Sequence, residues 1–190
     1  MVISDTIDAA GNTLAGQLTM DNVEMWHVGQ RQTFKAGLRF DGATTNTHTV
    51  TNSVIHEGLG WGLSVTLSKN VNVSNTQVIG FKAVGVSIHS SHDVTMDGIM
   101  TADVLPRDFT ALGMLVDKEG CMLVCSYHEP DTGCANVVVK NSLSVGCKFS
   151  GFIAPGHGCA EENTNFFNNV ARSVEGCGAR IYASRTDSDH

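Results

Sequence analysis

The chain has 190 residues, 42% of them hydrophobic, and a formal net charge of -7 from 12 basic and 19 acidic side chains. That length and apolar content suit one domain with a continuous core, and the acidic balance argues against nucleic acid or an anionic membrane as partner. No run is long and apolar enough to span a bilayer, so no part of the segment is expected to insert in a membrane.

Six times a glycine is followed by an apolar, an outward and another apolar residue: AGLRF at Gly37, WGLSV at Gly62, VGVSI at Gly85, LGMLV at Gly113, SGFIA at Gly151 and CGARI at Gly178. The steps are 25, 23, 28, 38 and 27 residues. A second column, Asn22, Asn52, Asn75, Gly98, Asn141 and Asn169, follows strand-like stretches such as HTV, VNV and VVV. Asn and Gly enter the left-handed backbone region most cheaply, so both columns read as tight corners, with the asparagines stacked as an amide ladder. Between the marks apolar residues alternate with period two, as at Val71, Val73, Val86 and Ile88, which is the strand signal.

Short strands joined only by corners, at a fixed repeat, predict an all-β fold: a right-handed parallel β-helix of roughly six coils of about 22 to 25 residues. The solenoid is placed at residues 16–182, with 1–15 as the end of a preceding coil or a linker and 183–190 as a tail or link to the next module. Neither end reads as an amphipathic capping helix, and the opening residues lack the basic and then apolar run of a signal peptide. The expectation is therefore a piece of a larger protein with neighbouring modules on both sides.

The long steps localise insertions at 31–36, at 103–111 around Pro106, and in a Cys-rich segment at 117–136. Beside them the outward row changes character: Arg39, Ser64 and Ser87 give way to Leu115 and Ile153. In the neighbouring strands Thr19, Thr49, Asn72 and Thr95 give way to Val138 and Phe166. Apolar outward residues need a cover, which is assigned to the loop from Cys121 to Asn136, the alternative being a partner domain or another subunit.

Cys121, Cys125, Cys134, Cys147, Cys159 and Cys177 fit no usual zinc spacing and read as disulfides. Cys147 and Cys177 each follow a glycine late in their coils and are expected to face each other on neighbouring rungs, the other four leaving three pairings open. Disulfides imply an extracellular location. The sequon Asn72-Val73-Ser74 agrees, with Asn72 outward as a glycosylation site.

Trp26, His27, His56 and Trp61 are grouped as a glycan platform, because sugar faces lie on aromatic rings while polar tips fix the hydroxyls. His89, His92 and Asp93, like His157, Glu161 and Glu162, read as solvated turns rather than metal ligands. Asp41, Asp103, Arg107 and Asp108 form no specific acid–base constellation. No catalytic residue, metal or cofactor is assigned.

The stretches GQLTMDNVEMWHVGQ, TNSVIHEGLGWGLSVTLSKNVNVSNTQV and EPDTGCANVVVKNSLSVGCKFSGF resemble the parallel β-helix region of the fibrocystin and fibrocystin-like proteins. They are more distantly similar to the cell-surface hyaluronidases of the transmembrane protein 2 type. The first resemblance implies a long ectodomain, anchored or shed, on cilia or other cell surfaces. The second implies glycan cleavage by a His-x-His pair after the VGQ stretch, where this chain has Leu38 or Arg39 and Asp41. The function expected is a structural or adhesive module contacting neighbouring modules of its own chain, other extracellular proteins, another copy of itself, or glycans. The alternatives are a glycan hydrolase or lyase, or a sugar-binding module without turnover.

Overall fold

Three parallel sheets wind together in the computed structural model, which describes residues 1–30, 35–106, 120–125, 134–156 and 165–183. The first sheet stacks β1 (Val2–Ile3), β6 (Leu38–Asp41), β9 (Leu63–Thr66), β12 (Val84–His89), β15 (Gly120–Val124), β18 (Ser150–Gly156) and β21 (Ala179–Ala183). The second stacks β4 (Thr19–Asp21), β7 (His48–Thr51), β10 (Lys69–Ser74), β13 (His92–Asp97), β16 (Ala135–Lys140) and β19 (Asn165–Phe167). The third stacks β5 (Glu24–Trp26), β8 (Val54–His56), β11 (Gln77–Ile79), β14 (Met100–Ala102), β17 (Leu143–Val145) and β20 (Val170–Arg172). Each coil takes one strand from each sheet, and all pairing between coils is parallel, so the fold is a parallel β-helix. An antiparallel hairpin, β2 (Asp5–Ile7) with β3 (Thr13–Ala15), projects from the first coil. Among the described residues none is helical.

The core is a set of stacked rows. Leu38, Leu63, Val86, Met122 and Phe152 line one inner row of the first sheet, and Phe40, Val65, Ile88, Val124 and Ala154 the next. Met20, Val50, Val73, Met96 and Val139 do the same in the second sheet, ending on Phe166, whose ring meets Phe152 edge-on at 5.2 Å. Phe166 is thus an inward residue, not an outward one: Asn165 holds the register opposite Val138, because β19 reaches that level one residue earlier than the apolar pattern implied. Another row breaks the rule at its start. His48 precedes Val71, Val94 and Val137, fully buried against Phe40, with neither ring nitrogen hydrogen-bonded.

Two corrections concern the glycines. In register with Gly37, Gly62 and Gly85 stands Cys121, followed by Gly151 and Gly178, so the fourth rung is β15, lying inside the segment expected to be an insertion. Gly113 and Leu115 fall outside the described residues. Nor are these glycines left-handed corners. A Cβ on Gly62 would lie 2.5 Å from the Gly85 carbonyl oxygen, on Gly85 2.7 Å from that of Cys121, and on Gly151 2.6 Å from that of Gly178. At Gly62, Gly85 and Gly151 the next rung's backbone passes too close for a side chain.

The asparagine column does turn left-handed: Asn22, Asn52, Asn75, Gly98, Asn141 and Asn168 have φ between 47° and 67°. The final member is Asn168 rather than Asn169. The amides form a broken ladder, Asn75 donating to Asn52 and Asn168 to Asn141, each at 3.4 Å, with Asp21 and Asp97 accepting from Asn52 and Asn141 at 2.8 Å. Next to the corners run two rows of hydroxyls, Ser53 and Ser142 after the asparagines, and Ser68 and Ser91 after the left-handed residues Leu67 and Ser90 between the first and second sheets. Ser53, Ser68, Ser91 and Ser142 each donate to the carbonyl two residues back and accept an N–H from the preceding rung, at Val23, Ala43, Ser68 and Ile99. Each such serine satisfies backbone groups that the corner leaves without a ladder partner.

On the outside of the first sheet, Ser64, Ser87, Leu123 and Ile153 are buried although they face away from the core. Leu123 takes the outward place expected of Leu115. Disulfides join Cys121 to Cys147 and Cys125 to Cys134. Cys147 is therefore not bonded to Cys177, which is an exposed free thiol. Cys121 sits one rung beyond Gly85, where its side chain reaches the corner after β17, so the bond ties the first sheet to the third. Cys159 lies outside the described residues.

Candidate functional site

Strands β5 and β8 pair side by side with Met25 opposite Ile55 on the core side, which alternation requires to leave Glu24, Trp26 and His56 outward. The next residues, His27 and Glu57, hold φ of 52° and 53° in a second left-handed column that continues through Gly80, Asp103 and Gly146. His27 N–H donates to the His56 carbonyl at 3.2 Å and Glu57 N–H to that of Ile79 at 2.9 Å, fixing the corner to its neighbours. The register is Trp26 over His56 and His27 over Glu57, one residue away from the stacking of the two histidines that their distance from the asparagines suggested.

The side chains interlock. Trp26 Nε1 donates to Glu57 Oε2 at 2.8 Å, and His27 Nε2 lies 3.1 Å from the same oxygen. His56 Nε2 lies 2.8 Å from Glu24 Oε1, while its Nδ1 is 3.8 Å from Glu57 Oε1. The imidazole of His27 stacks on the indole with centroids 4.1 Å apart and planes 30° from parallel. The Trp26 N–H bond, followed by the His27 bond and the nearby imidazoles, holds the Glu57 carboxyl below the usual carboxylate value against a weaker opposing effect of burial. The result is an indole 60% exposed yet held at its polar edge.

Of the four residues grouped from the sequence, the structure brings Trp26, His27 and His56 together. Trp61 is elsewhere: it is half-buried and packs against Ala83, Val84, Leu123 and Ile153 outside the first sheet. Glu24 and Glu57 belong to the site and were not singled out. Their signal is the pairing of EMWH with VIHE across one coil step, visible only once the register is known.

The other candidates are structural where they are described. Arg39 Nη2 and Asp41 Oδ2 form an ion pair of 2.7 Å on the first sheet. Asp93, itself in the left-handed region with φ 55°, accepts from the Asn136 amide of the following coil at 2.6 Å. Asp103 is an exposed corner residue. Arg107, Asp108, His157, Glu161 and Glu162 lie outside the described residues. Among the described residues no three His, Cys, Asp or Glu side chains converge to hold a metal ion. Asn72 is exposed on the outer face of β10, between buried Val71 and Val73.

No family model matches the chain, no curated protein does, and no solved structure does.

Proposed function

We propose that this chain is a contact module of a secreted or cell-surface protein, in which the β-helix is the scaffold and the Trp26 corner is a glycan-binding surface without turnover. One observation carries the reading: a largely exposed indole, oriented by Glu57 and flanked by imidazole and carboxylate groups. A flat apolar ring with fixed polar groups at its edge suits a sugar, which presents an apolar C–H face and a rim of hydroxyls. The two disulfides favour an oxidising compartment, and exposed Asn72 in its sequon is compatible with a glycan there. The reading agrees with the ectodomain role implied by the fibrocystin-like stretches, cilia included, and its partners include neighbouring modules or a second copy stacked on the ends.

The non-catalytic form of this proposal agrees with the Arg39–Asp41 ion pair standing where the resemblance to the hyaluronidases implies a His-x-His pair. The test is calorimetric titration with oligosaccharides, together with chain-length analysis of hyaluronan incubated with the protein. Binding that disappears in Trp26→Ala, with hyaluronan length unchanged, is the expected result. Shortened hyaluronan, or glycan binding indifferent to Trp26→Ala, overturns it.

A further inference from the structure

We infer that the Trp26 corner selects uncharged glycans and rejects those carrying uronate or sulfate. The inference rests on the glycan reading and adds the ligand's charge class.

Its ground is the identity of the groups that frame the indole. Glu24 and Glu57 both stand at the surface, their side chains 70% and 59% exposed, on either side of His56. Glu57 is held in its charged form by the bonds it accepts from Trp26 and His27. The frame around the ring therefore carries two carboxylates within one coil step, on a chain whose formal net charge is -7. Carboxylates are acceptors only, so they take hydrogen bonds from sugar hydroxyls but none from another carboxylate or a sulfate. A ligand anion stacked on Trp26 would sit beside like charge, which disfavours the wrong partner more strongly than attraction favours the right one. An uncharged hexose or N-acetylhexosamine unit meets no such penalty: its C–H face lies on the indole and its hydroxyls donate to the free oxygen lone pairs of Glu24 and Glu57.

The experiment titrates the 190-residue chain at pH 7.5 and low salt with four probes of matched length: cellohexaose, chitohexaose, a hyaluronan hexasaccharide and a heparin hexasaccharide. The expected result is binding of one or both uncharged probes at least about tenfold tighter than either anionic one, a gap of ~1.4 kcal/mol. Glu24→Gln keeps an acceptor for His56 and removes one charge. It is expected to narrow the gap by strengthening the anionic probes, a gain of binding that misfolding cannot mimic. Anionic probes bound as tightly as uncharged ones, or a gap unchanged in Glu24→Gln, overturn the charge selection while leaving Trp26-dependent glycan binding standing. If no probe binds the unmodified chain, the glycan reading itself fails and this inference with it.

Discussion

His48→Val is expected to make the protein more stable, which is an unusual outcome for a fully buried position. The imidazole heads a row otherwise made of Val71, Val94 and Val137, is wholly inaccessible to solvent, and faces the ring of Phe40 at 5.2 Å with both nitrogens unbonded. Burying a polar group without a partner costs about 1–3 kcal/mol, and valine fills the row with the side chain its neighbours already use. A gain of about 1–2 kcal/mol raises Tm by roughly 2–8 °C for a domain of this size. The pH dependence sharpens the test. Burial holds the His48 pKa below its ordinary 6.5, with the negative charge of Asp5 opposing the shift. The unfolded chain therefore takes up the proton first, and stability falls as pH drops below the unfolded value until the folded value is reached. One proton is worth at most ~1.4 kcal/mol per pH unit, so the advantage of valine grows by up to about 1.4 kcal/mol between pH 7.5 and 5.5. Thermal unfolding followed by circular dichroism at the two pH values reads both effects. A valine variant melting below the parent at pH 5.5 refutes the reasoning.

Gly85→Ala pushes a methyl to 2.7 Å from the Cys121 carbonyl and is expected to cost about 1–3 kcal/mol, whereas Gly178→Ala meets its nearest atom at 3.5 Å and is expected to stay within ~0.5 kcal/mol; urea midpoints compare them. Replacing Cys121 and Cys147 with serine opens a 26-residue closure, expected to cost about 3–4 kcal/mol. Peptide mapping without reduction should recover Cys121–Cys147 and Cys125–Cys134 with Cys177 alkylated, and a Cys147–Cys177 peptide would contradict the pairing. The Asn141 amide and then Lys140 hold Asp97 below the ordinary 3.8, so its contribution is complete above that value and is lost as pH falls below it. Asp97→Asn should accordingly flatten the acid limb of Tm against pH below about pH 4.

The periodic parts of this molecule are written in its sequence because each rung must bury the same rows. Val71, Val73, Val86 and Ile88 announced strands, and Asn52, Asn75 and Asn141 announced corners, since a left-handed φ restricts the residue types that fit. The serine or threonine after each of these asparagines, Ser53, Thr76 and Ser142, was equally legible and marks the hydroxyl row that knits one corner to the next. The cause of the glycine column was not legible. A left-handed corner and a close backbone approach both demand glycine, and only the neighbouring rung's position tells them apart.

Sequence alone therefore determined the architecture, the period and the exposed face of Asn72, all of which repeat locally. Tertiary structure decided what depends on one-residue offsets between coils: that Cys121 and not Gly113 fills the fourth rung, that Phe166 points in, and that Cys147 reaches Cys121. The candidate site divides the same way. Trp26, His27 and His56 were conspicuous as residue types, but Glu57 joins them and Trp61 leaves them because a parallel register sets which residue of the next coil lies alongside, and a slip of one exchanges inside for outside.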